Sequence, residues 1–290
     1  MSSVGVGVIF TPSRPPEELP AFARAAEAAG LDEVLLFEDC FGASALASAG
    51  AALAATTRIR VGVGILPMPL RNVALLAMEI ATIDRLYPGR LRLGVGHGVQ
   101  EWMQQAGVRA GSPLTLMREF VPALRGLLAG SQVNAEGRYV RLDRVELSWP
   151  PARAVPVHAA GEGPRTLDLT GEVADGTLLT TGSSPAVVAD AVVRVAAARA
   201  AAGRTGPHPV TVFAMTAFGP DAASALADEL AEWGYRGTPW GAAGSVAEVA
   251  AAVRELVAAG ATDVLLQPLD RADAGSFVRS CGEVAQLVRG

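Results

Sequence analysis

Short β-rich segments alternate with longer alanine-rich helical segments along this chain, and that alternation limits its fold more than any other feature. Strands are predicted at 4–10, 33–37, 58–66, 91–96, 155–161, 177–181, 210–218 and 264–268. Alternation of this kind is typical of a parallel sheet. About eight such units in roughly 250 residues favour a closed (β/α)8 TIM barrel over an open sheet. Because no change of composition marks a linker, residues 1–290 are predicted to form a single barrel domain.

One segment interrupts the alternation. GRYVRLDRVELSWPP (137–151) is predicted to form a short hairpin or an extended excursion, as part of an insertion around 130–152. In a (β/α)8 barrel the chemistry takes place at the carboxyl ends of the strands. Functional residues are therefore expected in the loops that follow residues 10, 37, 66, 96, 160, 181, 218 and 267.

Composition excludes several classes of function. The net charge is −5 and all 24 basic residues are arginines, which argues against nucleic acid as a partner and removes lysine-based Schiff-base chemistry. Two cysteines cannot form a disulfide framework, so a reducing cytoplasm is expected. We find neither a signal peptide nor a membrane helix in the sequence.

No metal site is predicted, because the spacing of the three histidines does not match that of metal ligands. His158 is expected in the barrel core with a hydrogen bond, and His208 in a solvated loop.

The stretch LGVGHGVQEW (93–102) ends the fourth predicted strand with Gly94, Gly96 and Gly98. It lacks the third glycine of a dinucleotide fingerprint, because position 99 is valine. The glycines allow either close packing of the strand on a helix or the approach of a flat ring to the bare backbone. His97 falls at the rim, either as an acid/base or cofactor contact or as a structural histidine.

Two other rim segments carry polar groups. Glu38 and Asp39 follow the second strand, so one carboxylate should point into the barrel mouth and the other outward; the alternative for Asp39 is a helix N-cap. Cys40 beside them is either reactive or a small apolar filler. In AGEGPR (160–165), free backbone N–H groups, a helix N-terminus and an arginine form a candidate phosphate site, unless this is an ordinary glycine-rich turn.

These blocks together resemble the luciferase-like monooxygenase superfamily. The resemblance is carried by TTRIRVGVGILPMPLRNVALLAMEIATIDRLYPGRLRLGVGHG (56–98) and by AAGEGPRTLDLTGEVADGTLL (159–179), in this order, and it extends over roughly 4–290. It implies a barrel that holds FMN or the deazaflavin coenzyme F420.

The resemblance also implies roles for individual residues. Asp39 matches an acid that contacts the cofactor, and Gly64 and Ile65 match a non-proline cis peptide whose bulge backs the ring. Gly96, His97 and Gly98 match the segment along the other edge of the ring. The phosphate-binding turn is matched by Ala160, Gly161, Gly163, Pro164 and Arg165.

The catalytic candidates are His97, Asp39 and Cys40. In F420-dependent sugar-phosphate and alcohol dehydrogenases of this family a histidine follows the acid, and here that position is Cys40. The usual acid/base is therefore missing or replaced by His97, and a sugar-phosphate substrate is disfavoured. An apolar substrate pocket is expected from Phe41, Met68, Trp102, Trp233 and Trp240.

The function predicted from the sequence is hydride transfer between F420 and a small organic substrate. The alternatives are an FMN-dependent monooxygenase that uses reduced flavin and O2, a non-catalytic flavin-binding protein, and a barrel isomerase or aldolase acting on a phosphate ester. A homodimer is expected through helices of the second and third units, and a separate flavin or F420 reductase is a further possible partner.

Overall fold

The computed structural model describes residues 4–234 and 240–290, and in these ranges it contains a closed eight-stranded parallel barrel surrounded by helices. The strands are β1 (Gly5–Phe10), β2 (Glu33–Leu36), β3 (Arg60–Pro67), β4 (Leu91–Gly96), β5 (Val133–Glu136), β6 (Arg141–Val145), β7 (Val157–Ala160), β8 (Gly176–Leu179), β9 (Val210–Phe218), β10 (Ala242–Gly244) and β11 (Asp263–Pro268). The helices are α1 (Leu19–Ala28), α2 (Ala45–Ala55), α3 (Val73–Leu86), α4 (Gln100–Gln105), α5 (Pro113–Leu128), α6 (Pro164–Val173), α7 (Pro185–Ala201), α8 (Ala222–Glu232), α9 (Val246–Ala258) and α10 (Ala274–Arg289).

The order of strands around the barrel is β1, β2, β3, β4, β7, β8, β9 and β11, and β11 pairs with β1 to close the ring. The predicted (β/α)8 barrel is thereby confirmed. The short β10, which the sequence did not indicate, pairs with the last residues of β9. β5 and β6 form a separate antiparallel hairpin between α5 and β7, where the excursion was expected.

Helix starts follow from local sequence. The side chains of Ser112, Ser184 and Asp273 accept hydrogen bonds from backbone N–H groups in the first turns of α5, α7 and α10. Ser245 and Glu248 form a reciprocal capping box at the start of α9. Such caps satisfy N–H groups that have no partner inside the helix, and each contributes about 1 kcal/mol.

The barrel interior is filled with apolar side chains at mid-height. Ile9, Leu35, Leu178, Phe213 and Leu265 form one buried cluster, and each side chain comes from a different strand. Because side chains alternate along a strand, the residue two positions further on each strand faces the same interior one layer nearer to the carboxyl end. This cluster therefore separates the carboxyl-end mouth from the amino end.

The amino end of the barrel is closed by an ion cluster around Arg92. Its guanidinium lies 3.0 Å from Glu33 Oε2 and 2.8 Å from Asp263 Oδ1, and it donates to Thr211 Oγ1 at 2.6 Å. Glu33 is fully enclosed, with 1% of its surface exposed. Buried charges of this kind persist only when they are paired, so the cluster belongs to the architecture of this end.

The two histidines outside the mouth differ in how well they were predicted. His158 is buried in β7, and burial together with Arg92 lowers its pKa to about 3; its Nδ1 has no hydrogen-bond partner among the described residues, contrary to expectation. His208 lies in the predicted loop, but it is half-buried rather than solvated. Its Nδ1 accepts from Arg199 at 2.9 Å and its Nε2 lies 2.8 Å from Thr177 Oγ1, while burial lowers its pKa to about 4.

Candidate active site

A cavity of about 860 Å³ opens at the carboxyl ends of the strands. It lies above the apolar interior cluster, since Phe213 belongs to both. Its lining combines residues of the strands β3, β7 and β9 and of the loops after β2, β4, β7 and β8 with residues from α4, α5 and α6 and the end of α8. The lining residues are Phe37, Glu38, Asp39, Ile65, Pro67, His97, Gly98, Val99, Gln100, Trp102, Pro113, Ala160, Gly161, Glu162, Gly163, Thr166, Thr180, Thr181, Phe213 and Trp233.

The two carboxylates after β2 have different environments. Glu38 forms a two-pronged ion pair with Arg71 and accepts a hydrogen bond from the Ala45 N–H at the start of α2 at 3.0 Å. This carboxylate therefore joins the loop after β2 to the loop after β3. The Asp39 carboxylate makes no hydrogen bond or ion pair with the described residues, and burial raises its pKa. Of the two, Asp39 is the group free to bind a ligand.

Cys40 is half-buried and does not line the cavity. Burial raises the pKa of its thiol, and the negative charges of Glu38 and Asp39 raise it further. Because the thiolate is the reactive form of cysteine, this environment does not favour Cys40 as a nucleophile or base. Phe41 is 71% exposed outside the cavity, and the Cys40–Phe41 peptide is cis.

The carboxyl-end half of β3 has the expected backbone. The Gly64–Ile65 peptide is cis, and the register with β4 shifts between Val63 and Leu66, so a bulge occurs at this point. Ile65 lines the cavity, whereas Gly64 lies behind it among buried side chains. The bulge thus presents the Ile65 side chain to the mouth of the barrel.

The glycines of β4 make room for side chains of other barrel strands, a reason that the sequence did not reveal. A Cβ atom at Gly94 would lie 2.3 Å from Leu178 Cδ1, and one at Gly96 would lie 2.5 Å from Ile65 Cγ2. Gly98 has a φ of +67°, which favours glycine, and it lines the cavity. Gly96 therefore supports the site indirectly, by allowing Ile65 its position.

His97 is the titratable side chain that β4 brings to the cavity. Its Nε2 is buried and has no hydrogen-bond partner among the described residues, and burial lowers the pKa of the ring. Gln100 holds the local backbone by donating to the carbonyl oxygens of His97 and Gly98 at 3.3 and 3.1 Å. A neutral imidazole with an unpartnered nitrogen can accept or deliver a proton.

The turn after β7 has the form expected for an anion site. Gly163 is the N-cap of α6 and Pro164 is its first residue, while Ala160, Gly161 and Gly163 line the cavity. Backbone N–H groups at such a helix start, together with the helix dipole, favour a bound anion. The side chain of Arg165 is exposed and is not part of the lining.

The predicted substrate-pocket residues divide into two groups. Trp102 and Trp233 line the cavity, and Trp233 is 41% exposed. Met68 is 1% exposed and faces a separate pocket of about 280 Å³, and the half-buried Trp240 pairs with Gly182 rather than lining the cavity. The structure therefore does not bring Phe41, Met68 and Trp240 together with the other two.

Several lining residues escaped the sequence reasoning, among them Thr180, Thr181 and Phe213. The pair Thr180–Thr181 directly follows an apolar strand, so the position of two hydroxyl groups at a strand end was a usable signal. Within residues 4–234 and 240–290, no group of three or more His, Cys, Asp or Glu side chains is placed to hold a metal ion. No helix in the same ranges has the length and apolar character needed to cross a membrane.

The fold and the site together define a barrel protein whose mouth combines a free carboxylate, a bulged strand, a histidine with an unpartnered nitrogen and a glycine-rich turn at a helix N-terminus. Residues 4–281 match the family model for luciferase-like monooxygenases, and the chain belongs to that family. The resemblance inferred from the sequence is thereby confirmed, and the chain is an oxidoreductase.

Two relatives illustrate the similarity in sequence. The 5,10-methylenetetrahydromethanopterin reductase of Methanolobus tindarius is 31% identical over 226 residues, covering 78% of this chain and 68% of the relative. The F420-dependent glucose-6-phosphate dehydrogenase of Nakamurella multipartita is 32% identical over 192 residues, covering 61% of this chain. The chain spans just over half the length of this second relative, at 56%.

Solved structures match over almost the whole chain. An F420-dependent secondary alcohol dehydrogenase superposes with a TM-score of 0.89 at 21% identity, covering 99% of this chain and 100% of the other. The oxygenating constituent of 3,6-diketocamphane monooxygenase of Pseudomonas putida, in complex with FMN, superposes with a TM-score of 0.78 at 17% identity, covering 99% of this chain and 98% of the other. At these identities the match establishes the fold.

Proposed function

We propose that this protein transfers a hydride between coenzyme F420 and a small organic substrate. The observation that carries the proposal is that three cofactor-binding segments expected from the sequence line one cavity: Asp39 after β2, Ile65 in the bulge of β3, and the glycine-rich turn after β7. The relatives named for F420 dependence in sequence comparisons support this coenzyme over FMN.

The residues of the mouth fit such a coenzyme in three respects. The Asp39 carboxylate has no partner in the described protein and is available to N–H groups of a ring. Ile65 offers an apolar surface to one ring face, and the N-terminus of α6 offers backbone N–H groups to a phosphate. When bound, F420 supplies the carbon that accepts or donates the hydride.

His97 is proposed as the acid/base of the reaction. Its Nε2 lacks a partner in the part of the chain that the structure describes, and its lowered pKa keeps the ring neutral, so it can take a proton from the substrate or, once protonated, return it. Asp39 is assigned to the cofactor. Cys40 is the weaker catalytic candidate, because it does not line the cavity and its thiol stays protonated.

An FMN-dependent monooxygenase is the second candidate. It is supported by the FMN complex among the similar structures and by the apolar lining of the mouth, with Phe37, Trp102 and Phe213, which would shield a reactive flavin from water. This function would need a separate reductase to supply reduced flavin. An isomerase or aldolase acting on a phosphate ester is not favoured, because the sequence contains no lysine to act as its base.

The deciding experiment is titration of the purified protein with F420 and, separately, with FMN, followed by fluorescence quenching. Tight binding of F420 is expected; tight binding of FMN alone would reverse the order of the two candidates, and binding of neither would refute both. Arg165→Ala is expected to weaken F420 binding about threefold through loss of a charge beside the phosphate turn. Arg153→Ala, an exposed arginine outside the cavity lining, is the matched control and should leave binding unchanged.

A cytoplasmic homodimer is also proposed, with α2 and α3 at the interface. The sequence of α2, ALASAGAALAA, contains no charged residue on any face, although several of its residues are exposed. On α3, the side chains of Leu75, Met78 and Leu86 are 49%, 58% and 66% exposed. Such apolar groups are covered in a dimer. Light scattering of wild type and Met78→Glu tests this: a wild-type monomer would contradict it, and the variant should dissociate.

A further inference from the structure

The cavity has two halves, which follow from the order of strands around the barrel. The residues proposed to hold the coenzyme come from the four consecutive strands β2, β3, β4 and β7 and their loops. The remaining strands of the ring are β8, β9, β11 and β1. If the coenzyme occupies the first half, as proposed above, the substrate contacts the second half.

In the second half, one buried polar pair joins a lining residue to β11. Gln267 follows Leu265 of the interior cluster by two positions on β11, so its side chain faces the interior one layer nearer to the mouth. Gln267 is fully buried, and its Oε1 lies 2.5 Å from the hydroxyl oxygen of Thr181, which lines the cavity. The neighbouring Thr180 is already engaged, because its hydroxyl donates to Glu162 in the turn after β7.

The short distance fixes the direction of the Thr181–Gln267 hydrogen bond. A separation of 2.5 Å is within the range of an O–H···O bond and too short for N–H···O. The Thr181 hydroxyl therefore donates to the Gln267 carbonyl oxygen and keeps only lone pairs for a ligand. Thr181 consequently acts as an acceptor, and it selects a ligand group that carries an O–H or N–H.

Stability of the fold does not explain the amide of Gln267. Its Nε2 is buried and has no hydrogen-bond partner among the described residues, and an unpaired buried donor destabilises a fold. An apolar side chain of the same shape would suit folding at least as well. The free-energy cost of burying this unpaired amide is explained if the amide orients the Thr181 hydroxyl for binding.

The surroundings define the rest of the ligand. The lining includes the apolar side chains of Phe213 and Trp233, and Thr180 next to Thr181 is paired with Glu162. The described lining offers no arginine or lysine to an anionic group. We infer that Thr181 is a specificity-determining residue that accepts a hydrogen bond from an O–H or N–H group of a largely apolar substrate without negative charge, a group other than the one that exchanges a proton with His97, and that Gln267 is its positioning residue. This inference rests on the proposed function for the location of the substrate.

The test compares binding of uncharged alcohols with binding of their methyl ethers, which lack the donor. Linear and cyclic alcohols of increasing size, each paired with its ether, are titrated calorimetrically into the F420-loaded protein. The wild type should bind the best alcohol about fivefold more tightly than its ether, the value of one ordinary hydrogen bond. Thr181→Val should abolish the preference and Thr181→Ser should retain it.

Gln267→Met separates positioning from a structural role. The variant frees the Thr181 hydroxyl to donate to an ether oxygen, so the preference for alcohol should fall to near unity while the melting temperature stays unchanged or rises. Thr216→Val is the matched control, because Thr216 is equally buried on β9 but does not line the cavity. It should leave the preference intact.

The outcomes are distinguishable from those of the coenzyme titration. Failure to bind F420 refutes the proposed function. Binding of F420 without any preference for alcohol over ether, or without binding of any alcohol, overturns this inference alone. A preference that survives in Thr181→Val, or a lowered melting temperature in Gln267→Met with the preference intact, overturns it as well.

Discussion

The contact between β4 and the bulge of β3 leads to a quantitative prediction for Gly96→Ala. A Cβ atom at Gly96 would lie 2.5 Å from Ile65 Cγ2 but 3.9 Å from Ile65 Cβ, and 3.4 Å from Ala160 Cβ. The clash is therefore with one methyl group of a β-branched side chain, which has few alternative rotamers. Overpacking of this kind destabilises by about 1–3 kcal/mol, and the displaced Ile65 would also intrude into the cavity.

The same geometry predicts that removing the methyl group relieves the clash. Ile65→Ala alone should cost about 1–2 kcal/mol, less than a fully buried isoleucine, because Ile65 is half-buried. Gly96→Ala in that background meets Ile65 Cβ only at ordinary contact distance, so the double variant should be about as stable as Ile65→Ala. The coupling free energy is then about 1–3 kcal/mol.

The assay is denaturant and thermal unfolding of the four proteins, followed by circular dichroism. A change of 1 kcal/mol corresponds to about 2 °C in melting temperature for a chain of this size. Gly275→Ala on α10 is the control, since a Cβ atom there meets only ordinary contacts, at 3.4 Å from Arg279 and 3.6 Å from Asp273, and the change should be neutral or stabilising. Additive effects of Gly96→Ala and Ile65→Ala would refute the reasoning.

Three further predictions follow from the charged groups. Because burial raises the pKa of Asp39, ionisation of this carboxyl opposes folding as the pH rises. Asp39→Asn should therefore raise the melting temperature of the coenzyme-free protein at neutral pH but not in strong acid. The same variant should bind F420 more weakly. Glu38→Gln removes the two-pronged partner of Arg71 but leaves its ion pair with Glu79 at 3.5 Å, so it should cost about 2 kcal/mol by denaturant unfolding, unlike Asp143→Asn at the surface. His158 has its pKa lowered to about 3 from 6.5, so its contribution to stability is lost as the pH falls through that interval; His158→Leu should flatten the melting temperature over this window, and an unchanged slope would contradict the assignment.

The barrel could be predicted because it depends on a local pattern. Each strand and its following helix are encoded by contiguous residues. The predicted ends of the strands were therefore sufficient to place Asp39, His97 and the turn at 160–165 together at one mouth. Parallel strands all direct their carboxyl ends to the same side, so chain position was sufficient.

The unpredicted features depend on residues far apart in sequence. The hydrogen bond between Thr181 and Gln267 joins residues 86 positions apart, and the space that Gly94 provides is for Leu178, two strands away around the barrel. The burial of His208 was missed for a similar reason, because its hydrogen-bond partners Thr177 and Arg199 belong to other elements. Local sequence indicates that a glycine or a histidine is present, but its neighbours decide its role.

The ion cluster around Arg92 limits the route by which ligands enter and leave the site. It seals the amino end of the barrel within the described residues, with the apolar interior cluster above it, so molecules reach the site and leave it through the carboxyl-end mouth. Whatever sits deepest must therefore arrive first and depart last. An ordered kinetic pattern, in which the more deeply bound reactant is the last to be released, is therefore expected of a chamber with one opening.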